Sequence, residues 1–456
     1  MNTLRLVALP TLMLLSIPST EAAPLTISLG DSEPIKKQWH SFNCNLLMPT
    51  ALHGISYSSD EFTKVARDLL PGGLRFPGGT TANNYLWRED TFSIQQNDQT
   101  GWAAQQLALF RKIGRRYDLD GYISLCREHS IEPIHVLNIY EESPESVITL
   151  IEHYRSKGLP LRAIELGNET YWDPRSLMNV WRYIEIARPL ANAIRRHDPT
   201  IQIGACFGPA RADSPFPEKW NAPLAKQQWF DAAIYHEYYG GQGFALEAGA
   251  ELPLAAVPYP EAYIDEGFDH LAAILPDTPI WFTEWNIGAE GLNQWKNTGA
   301  ELLFITAAIT RILDHRERVE WSCFHQLFEK KFGTAYFDKE QGLRTLPSYQ
   351  LFRLISQVWS GADKFIEIPT PADSDCRGFA TRGPDGDRLL IFNRSSQPVE
   401  LALPETLDGH QMFAIDASPE IDLAGSPSFA RQPSAVPAGT MTLRAHTIIA
   451  LLPAAE

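Results

Sequence analysis

Cysteine is scarce in this sequence and lacks the spacing that would give it a chemical role. The 456 residues include only five cysteines, which are Cys44, Cys126, Cys206, Cys323 and Cys376. No two of them form a C-x-x-C pair, so a zinc ribbon and thioredoxin-like redox chemistry have no support. Most lie in apolar runs, where a thiol behaves as a small hydrophobe, and we expect all five to pack in the core.

Positive charge is also in short supply. Lysine and arginine total 39 against 55 acidic residues, which leaves a formal net charge of -16. Such an acidic chain is a poor partner for nucleic acid phosphates or anionic lipids. Neutral ligands such as sugars remain compatible with this charge.

Three common catalytic signatures are missing as well. The sequence contains no H-E-x-x-H, no G-x-S-x-G and no G-x-x-x-x-G-K run. Metalloprotease, serine esterase and nucleotide-binding chemistry therefore have no local support.

The beginning of the sequence has the pattern of a secretory signal peptide over residues 1–22. Arg5 precedes an apolar run from Leu6 to Ile17, and the small residues Thr20 and Ala22 follow. This pattern predicts export, to the periplasm or to the outside of the cell. The alternative is a buried N-terminal helix. Later runs are too short to span a bilayer, so we expect no membrane insertion after cleavage.

Residues 39–356 alternate short apolar runs with longer amphipathic stretches. The eight apolar runs lie near residues 42–47, 73–76, 133–137, 163–166, 201–206, 232–236, 280–284 and 319–325. Eight strands, each followed by a helix, predict a (β/α)8 TIM barrel. A doubly wound open sheet is the competing architecture.

The remaining sequence has a different hydrophobic pattern. Residues 357–456 contain short β-like runs separated by Pro, Gly, Asp and Ser, with no long helical periodicity. They predict an antiparallel β-sandwich domain. Residues 23–38 include a short alternating run, which we expect to form a strand that pairs with the sandwich.

Two carboxylates lie where a barrel would hold its active site. Glu169 follows the fourth predicted strand, and Glu284 ends the seventh. The carboxyl ends of barrel strands converge on one mouth, so these two groups can face each other. A facing pair of carboxylates is what glycoside hydrolysis requires. The alternative for either residue is an ordinary surface salt bridge.

Four ordered motifs at strand ends make the catalytic interpretation specific. They are Leu74-Arg75-Phe76-Pro77-Gly78-Gly79, Gly167-Asn168-Glu169, His236-Glu237-Tyr238 and Thr283-Glu284-Trp285-Asn286. Together they resemble the clan A retaining glycoside hydrolases, most closely the family 51 α-L-arabinofuranosidases, with families 39 and 79 also similar. The resemblance implies a carbohydrate substrate and a reaction that needs no cofactor or metal.

The resemblance also implies roles for individual residues. Glu169 becomes the general acid/base and Glu284 the nucleophile, with Arg75 as the cation that favours its ionised form. Tyr238 would donate a hydrogen bond to Glu284. Asn168 would bind a sugar hydroxyl beside the reacting carbon.

A second group of residues near strand ends consists of candidates for substrate binding. They are His236, Asn43, Asn45, Thr80, Trp172, Trp285 and Gln326. The amides could read hydroxyls and the indoles could stack on sugar rings, although capping bonds and core packing are the alternatives. Thr80 stands where family 51 usually has Asn, and Asn43-Cys44-Asn45 stands where it carries Glu.

The leading functional hypothesis is therefore a retaining enzyme that cleaves terminal α-L-arabinofuranosides of plant cell-wall polysaccharide or oligosaccharide. The same mechanism on a β-glucuronide or a β-xyloside is the alternative. A more remote alternative is a carbohydrate-binding protein without catalytic activity. The sequence does not indicate an oligomeric state.

Overall fold

The computed structural model describes residues 24–94, 102–211, 214–239, 259–287, 296–331, 333–370, 374–418 and 433–454. The signal peptide predicted over residues 1–22 lies outside these ranges. The helices are α1 (Leu47–His53), α2 (Asp60–Leu69), α3 (Trp102–Ile113), α4 (Leu119–His129), α5 (Pro144–Ser156), α6 (Val180–His197), α7 (Ala222–Ala225), α8 (Tyr259–Ile274), α9 (Gly299–Asp314) and α10 (Pro347–Trp359). In the described residues, no helix is both long and apolar enough to cross a membrane.

The strands of the first half are β1 (Leu25–Thr26), β2 (Ser32–Pro34), β3 (Ser41–Asn43), β4 (Gly73–Phe76), β5 (Tyr85–Leu86), β6 (Thr91–Phe92), β7 (Glu132–Leu137), β8 (Ala163–Leu166), β9 (Gln202–Cys206) and β10 (Ala232–Tyr239). The rest are β11 (Ile280–Ile287), β12 (Val319–Phe324), β13 (Ala335–Asp338), β14 (Gly342–Thr345), β15 (Lys364–Glu367), β16 (Cys376–Gly383), β17 (Gly386–Asn393), β18 (Val399–Ala402), β19 (Gln411–Asp416), β20 (Ser434–Ala435), β21 (Thr440–Leu443) and β22 (Thr447–Leu452).

Eight of these strands close into a parallel barrel, which confirms the predicted fold. Its order is β3, β4, β7, β8, β9, β10, β11 and β12, and β12 pairs with β3 to complete the ring. Every residue of β4, β8 and β11 is buried, because one face of each strand fills the barrel and helices cover the other. A doubly wound sheet would have left two strands unpaired at its edges.

Local sequence explains where the helices begin. Ser143 precedes α5, and its hydroxyl accepts a hydrogen bond from the Ser146 backbone N–H at 3.2 Å. Pro144 occupies the first helical position, where the missing N–H costs nothing. Asn179 caps α6 in the same way, by accepting from the Arg182 backbone N–H at 3.1 Å.

The C-terminal strands form two further sheets. One has seven strands in the order β2, β15, β16, β17, β22, β19 and β20, and the other has three in the order β1, β18 and β21. A second cluster of buried apolar side chains, including Ile27, Leu401 and Ile449, belongs to these strands. Strands β1 and β2 precede the barrel in the chain yet pair with β18 and β15, so segments from both sides of the barrel form these two sheets.

Aromatic side chains pack the seven-stranded sheet against the barrel. Trp39, which precedes β3, contacts Trp359 and Phe365 edge-to-face at ring-centroid distances of 6.3 and 5.7 Å. Trp359 in turn meets Phe379 at 5.4 Å. All five cysteines are buried free thiols, as expected from their apolar surroundings.

Candidate active site

The two predicted carboxylates lie together at the carboxyl end of the barrel. Glu284 belongs to β11, and Glu169 lies three residues beyond the end of β8. Each offers a carboxylate oxygen within 4.8 Å of the other's. Their surroundings differ, because the Glu284 side chain is 3% exposed while that of Glu169 is 24% exposed.

The backbone at Glu169 is unusual. Its φ angle is 43°, in the left-handed region that non-glycine residues seldom adopt. Such conformations persist only where neighbouring contacts enforce them, and they are concentrated at functional sites.

Asn83 holds the backbone next to Glu169 in place through hydrogen bonds. Its side-chain amide donates to the Asn168 carbonyl at 2.7 Å and accepts from the Asn168 N–H at 2.8 Å. This pair of bonds holds the residue directly before Glu169. The Asn168 Nδ2 atom is buried and has no hydrogen-bond partner among the described residues, so it retains a donor suited to a sugar hydroxyl.

Glu284 is surrounded by nitrogen-bearing side chains. His325 Nδ1 lies 3.0 Å from its Oε1 atom, and His236 Nδ1 lies 3.2 Å from Oε2. Burial by itself would raise the pKa of Glu284, but the two histidines outweigh it and hold this pKa well below its usual value. The carboxylate is therefore ionised near neutral pH, as a nucleophile must be.

His236 connects the two carboxylates. Its Nδ1 atom also lies 3.3 Å from Glu169 Oε1, and its Nε2 lies 3.2 Å from the Thr283 hydroxyl. Burial disfavours the charged ring, but Glu284 and Glu169 reverse this effect and raise the pKa of His236 to about 9. The imidazole is consequently protonated at neutral pH and donates from Nδ1 toward both carboxylates.

Arg75 is fully buried beneath Glu284, but its main partner is a different carboxylate. It lies 2.7 Å from Glu165 Oε2, whereas its contact with Glu284 Oε1 is 3.5 Å. It also donates to the side-chain carbonyls of Asn43 at 3.0 Å and Asn168 at 2.9 Å. Arg75 thus holds Asn168 in place and contributes less to the charge of Glu284 than the sequence suggested.

Tyr238, at the end of β10, also belongs to the site. The pKa of Tyr238 is raised well above its usual value by burial and by the charges of Glu284 and Glu169, with a hydrogen bond to Glu284 as a further cause. Its ring meets that of His325 edge-to-face at a centroid distance of 5.8 Å. A protonated hydroxyl in this position orients the nucleophile.

Two predicted substrate-binding residues, Asn43 and Asn45, form hydrogen bonds within the protein. Asn43 is fully buried and donates to the Thr283 carbonyl at 2.7 Å. Asn45 donates to the Gly78 carbonyl at 2.9 Å and accepts from the Leu47 N–H at 2.9 Å, so it stabilises a turn. Arg75 also donates to the side-chain carbonyl of Asn43, and Asn45 also donates to the Thr81 hydroxyl at 2.8 Å, so both amides have partners within the protein.

The aromatic and remaining polar candidates differ in their placement. Trp285 is buried and donates to the Ser322 hydroxyl at 3.0 Å, so it packs on the outer face of the barrel strands and its expected stacking role is wrong. Trp285 also meets Phe324 of β12 edge-to-face at a ring-centroid distance of 5.2 Å. Trp172 is 56% exposed, and its backbone N–H donates to the Glu169 carbonyl at 2.8 Å. Thr80 is exposed and Gln326 is buried.

Three residues of the site were not among the sequence-based candidates. They are Glu165, the partner of Arg75, Thr283, the partner of His236, and His325, the neighbour of Glu284. Alternation along a barrel strand could have indicated Glu165, because it lies four residues before Glu169 within β8. His325 directly follows β12, and only the closure of the barrel brings it beside Glu284.

In the part of the chain that the structure describes, Glu169, His236 and Glu284 also form a group whose ligand atoms lie close enough to hold a metal ion. Their contacts are those of a charge cluster, in which His236 Nδ1 lies within 3.3 Å of both carboxylates.

No protein family profile matches the chain. Two curated proteins are similar to the chain in sequence, and both are named intracellular exo-α-(1→5)-L-arabinofuranosidases. The one from Streptomyces lividans is 22% identical over 252 residues, which are 50% of this chain and 37% of the relative. The one from Acetivibrio thermocellus is 20% identical over 310 residues, 59% of this chain and 60% of the relative. The match thus spans less than two thirds of either relative.

Among solved structures, the fold matches a family 51 α-L-arabinofuranosidase from Bifidobacterium longum with a TM-score of 0.70. The alignment covers 93% of this chain and 98% of that protein at 15% sequence identity. At this identity the likeness establishes the fold, a (β/α)8 barrel with appended β-sheets.

The relatives contradict the prediction of export. Both carry the word intracellular in their names, and nothing in the described residues bears on residues 1–22. A short apolar run behind a single positive charge is not specific to signal peptides, because an amphipathic or buried helix has the same composition.

Proposed function

We propose that this protein is a retaining glycoside hydrolase that removes terminal α-L-arabinofuranosyl residues. The observation that carries the proposal is the carboxylate pair, with Glu284 and Glu169 oxygens within 4.8 Å of each other. Retaining enzymes place their two carboxyl groups about 5–5.5 Å apart, whereas inverting enzymes need about 6.5–9.5 Å for an intervening water.

The two environments suit the two roles. In the first step, ionised Glu284 attacks the anomeric carbon while Glu169 protonates the departing glycosidic oxygen. In the second step, Glu169 removes a proton from water, which attacks the same carbon and releases Glu284. Glu169 is the more exposed of the pair, as a group that exchanges protons with a leaving alcohol and with water must be.

The choice of sugar is supported by the relatives and by the charges at the mouth. Both curated relatives are named arabinofuranosidases. A uronate substrate would need an available cation, but Arg75, the arginine in contact with Glu284, is fully buried and bonded to Glu165, Asn43 and Asn168. A neutral pentoside fits this arrangement better than a β-glucuronide.

The test is a screen of nitrophenyl glycosides followed by a nucleophile variant. We expect turnover of the α-L-arabinofuranoside, and loss of turnover by about four orders of magnitude or more in Glu284→Ala, as for other removed catalytic groups. Azide should restore part of the activity of this variant and yield a glycosyl azide. Glu128→Ala, which removes an exposed carboxylate from α4, is the control and should retain full activity.

Other results would contradict the proposal in distinct ways. Preferred hydrolysis of a β-xyloside or a β-glucuronide would keep the mechanism and replace the sugar. A product of inverted configuration in early NMR spectra would overturn the double displacement. Sugar binding without any hydrolysis would identify a carbohydrate-binding protein.

A further inference from the structure

His325 has a defined position beside the nucleophile. Its backbone N–H donates to the Trp285 carbonyl at 3.0 Å, and its own carbonyl accepts from the side chain of Asn286. Both partners are neighbours of Glu284 on β11, so the backbone of His325 is attached to the strand that carries the nucleophile. Its side chain is 15% exposed, at the boundary between the barrel interior and solvent.

The two oxygens of Glu284 face different imidazoles. Oε2 faces His236, which also contacts the acid/base Glu169. Oε1 faces His325, whose Nδ1 lies at 3.0 Å, closer than the Arg75 guanidinium at 3.5 Å. His325 is therefore the nearest nitrogen to Oε1 among the ion pairs of this carboxylate, and the described contacts do not link it to Glu169.

Gly79 lies beside both groups. A Cβ atom placed on it would lie 3.7 Å from Glu284 Oε1 and 3.8 Å from the His325 ring, at ordinary contact distance. Glu284 Oε1 and His325 Nδ1 are themselves buried. A sugar bonded to Glu284 would lie within reach of His325, because Nδ1 of this ring is only 3.0 Å from Oε1.

We propose that His325 is a catalytic residue whose task is to stabilise Glu284 as the leaving group in the second half-reaction. The proposal rests on the function proposed above. In that half-reaction, water adds to the anomeric carbon, its proton passes to Glu169, and the bond between the anomeric carbon and Glu284 breaks with its electron pair returning to the carboxylate. A ring nitrogen 3.0 Å from Oε1 stabilises the charge where it reappears.

The same interaction opposes the first half-reaction, in which the charge of Glu284 is consumed. Loss of His325 should therefore slow release of the sugar from the enzyme while leaving its capture little affected. A residue that only maintains the shape of the site would slow both steps together. A selective effect on the second half-reaction therefore distinguishes a catalytic role of His325 from a structural one.

The experiment uses the full chain and p-nitrophenyl α-L-arabinofuranoside, with stopped-flow detection of nitrophenolate. For His325→Ala we expect kcat to fall about 10- to 100-fold, at or somewhat below the effect of deleting a single charge-stabilising donor, with kcat/KM changed less than about 3-fold. A burst of about one equivalent of nitrophenolate should precede the slow steady state, because glycosyl-enzyme accumulates. KM should fall in parallel with kcat.

Two further variants keep the test decisive. His325→Gln retains a neutral donor and should recover part of kcat, and it replaces the alanine variant if that one does not fold. His129→Ala removes an exposed histidine at the end of α4 and should match the wild type.

If His325→Ala loses kcat and kcat/KM equally, or if its kcat is unchanged, the role of His325 is overturned. Turnover of the arabinofuranoside by the wild type would still support the proposed function in that case. A wild-type protein that hydrolyses no glycoside would overturn both.

Discussion

At the scale of single residues, the ionisation of Glu284 depends on charges that the sequence brings from separate strands. His236 lies on β10 and His325 follows β12, on either side of β11. Burial favours the neutral acid, and the two imidazoles overcome that effect. The nucleophile is thus kept charged by its neighbours on both sides, and the strength of each contribution can be measured separately.

Replacing His236 should move the acidic limb of the activity profile. The low pKa of Glu284 places this limb below the normal range for a glutamate, and His236→Gln removes one of the charges responsible. We expect the acidic limb of kcat/KM to shift upward by about one pH unit, since a neighbouring charge typically contributes about 1–3 units. The measurement is kcat/KM from pH 3 to 10.

The alkaline limb provides a second criterion for the same variant. The pKa of His236 is raised to about 9, mainly by Glu284 against the opposing effect of burial, so the wild type should lose activity as pH rises through this value. His236→Gln should lack the part of that loss that is due to the imidazole. An acidic limb at the wild-type position would show that His236 does not control the charge of Glu284.

At the scale of elements, the segment after β8 positions the acid/base. Asn83, in the short helical turn Thr80–Asn84 after β4, holds the backbone of Asn168 through two hydrogen bonds. Asn83 also donates to Asp173 at 3.0 Å, and Asp173 forms an ion pair with Arg175 at 2.8 Å. The loop after β4 therefore sets the conformation of the loop after β8, two strands further along the barrel.

Asn83→Ala should reduce catalysis more than it reduces stability. Without the two bonds to Asn168, the left-handed conformation at Glu169 loses its support, and we expect kcat to fall about 10- to 100-fold through misplacement of the acid. The effect should be largest for substrates with poor leaving groups, which depend on protonation. Comparing nitrophenyl and methyl arabinofuranosides measures this difference.

Asn179→Ala is the matched control for that variant. It removes a side-chain cap of α6 and should cost about 1 kcal/mol of unfolding free energy with full activity retained. Similar kcat losses for both leaving groups in Asn83→Ala would contradict a role that acts through Glu169.

At the scale of the whole molecule, the barrel and one face of the seven-stranded sheet share a hydrophobic core. The largest cluster of buried side chains extends from Trp39 and Phe42 to Phe365, Phe379 and Ile448 without interruption. Because apolar contacts cross from helix α10 to the seven-stranded sheet, neither part can unfold without exposing the other's surface. We expect the two to behave as one cooperative unit.

Phe379→Ala tests this cooperativity. Truncating a buried phenylalanine at the junction should reduce the unfolding free energy by about 3–5 kcal/mol. Urea unfolding followed by tryptophan fluorescence and by circular dichroism should show one coincident transition, shifted to lower urea. Two separated transitions, with only the second sheet affected, would contradict a shared core.

Hydrophobic periodicity was sufficient to predict the barrel and the position of all eight of its strands. Each buried strand is an apolar run of limited length followed by a helical pattern, and this local information does not depend on distant residues. The same reasoning placed Glu169 and Glu284 at strand ends. It failed for Trp285 because proximity in sequence to Glu284 does not imply the same face of the strand.

Contacts between strands distant in sequence could only come from the tertiary structure. The pairing of Arg75 with Glu165, the hydrogen bonds of Asn43 and Asn45, and the approach of His325 to Glu284 all depend on ring closure and strand register. Residue types at strand ends define which chemistry is available. Which groups meet, and therefore which carboxylate holds its charge, depends on distances of about 3 Å that only the folded barrel establishes.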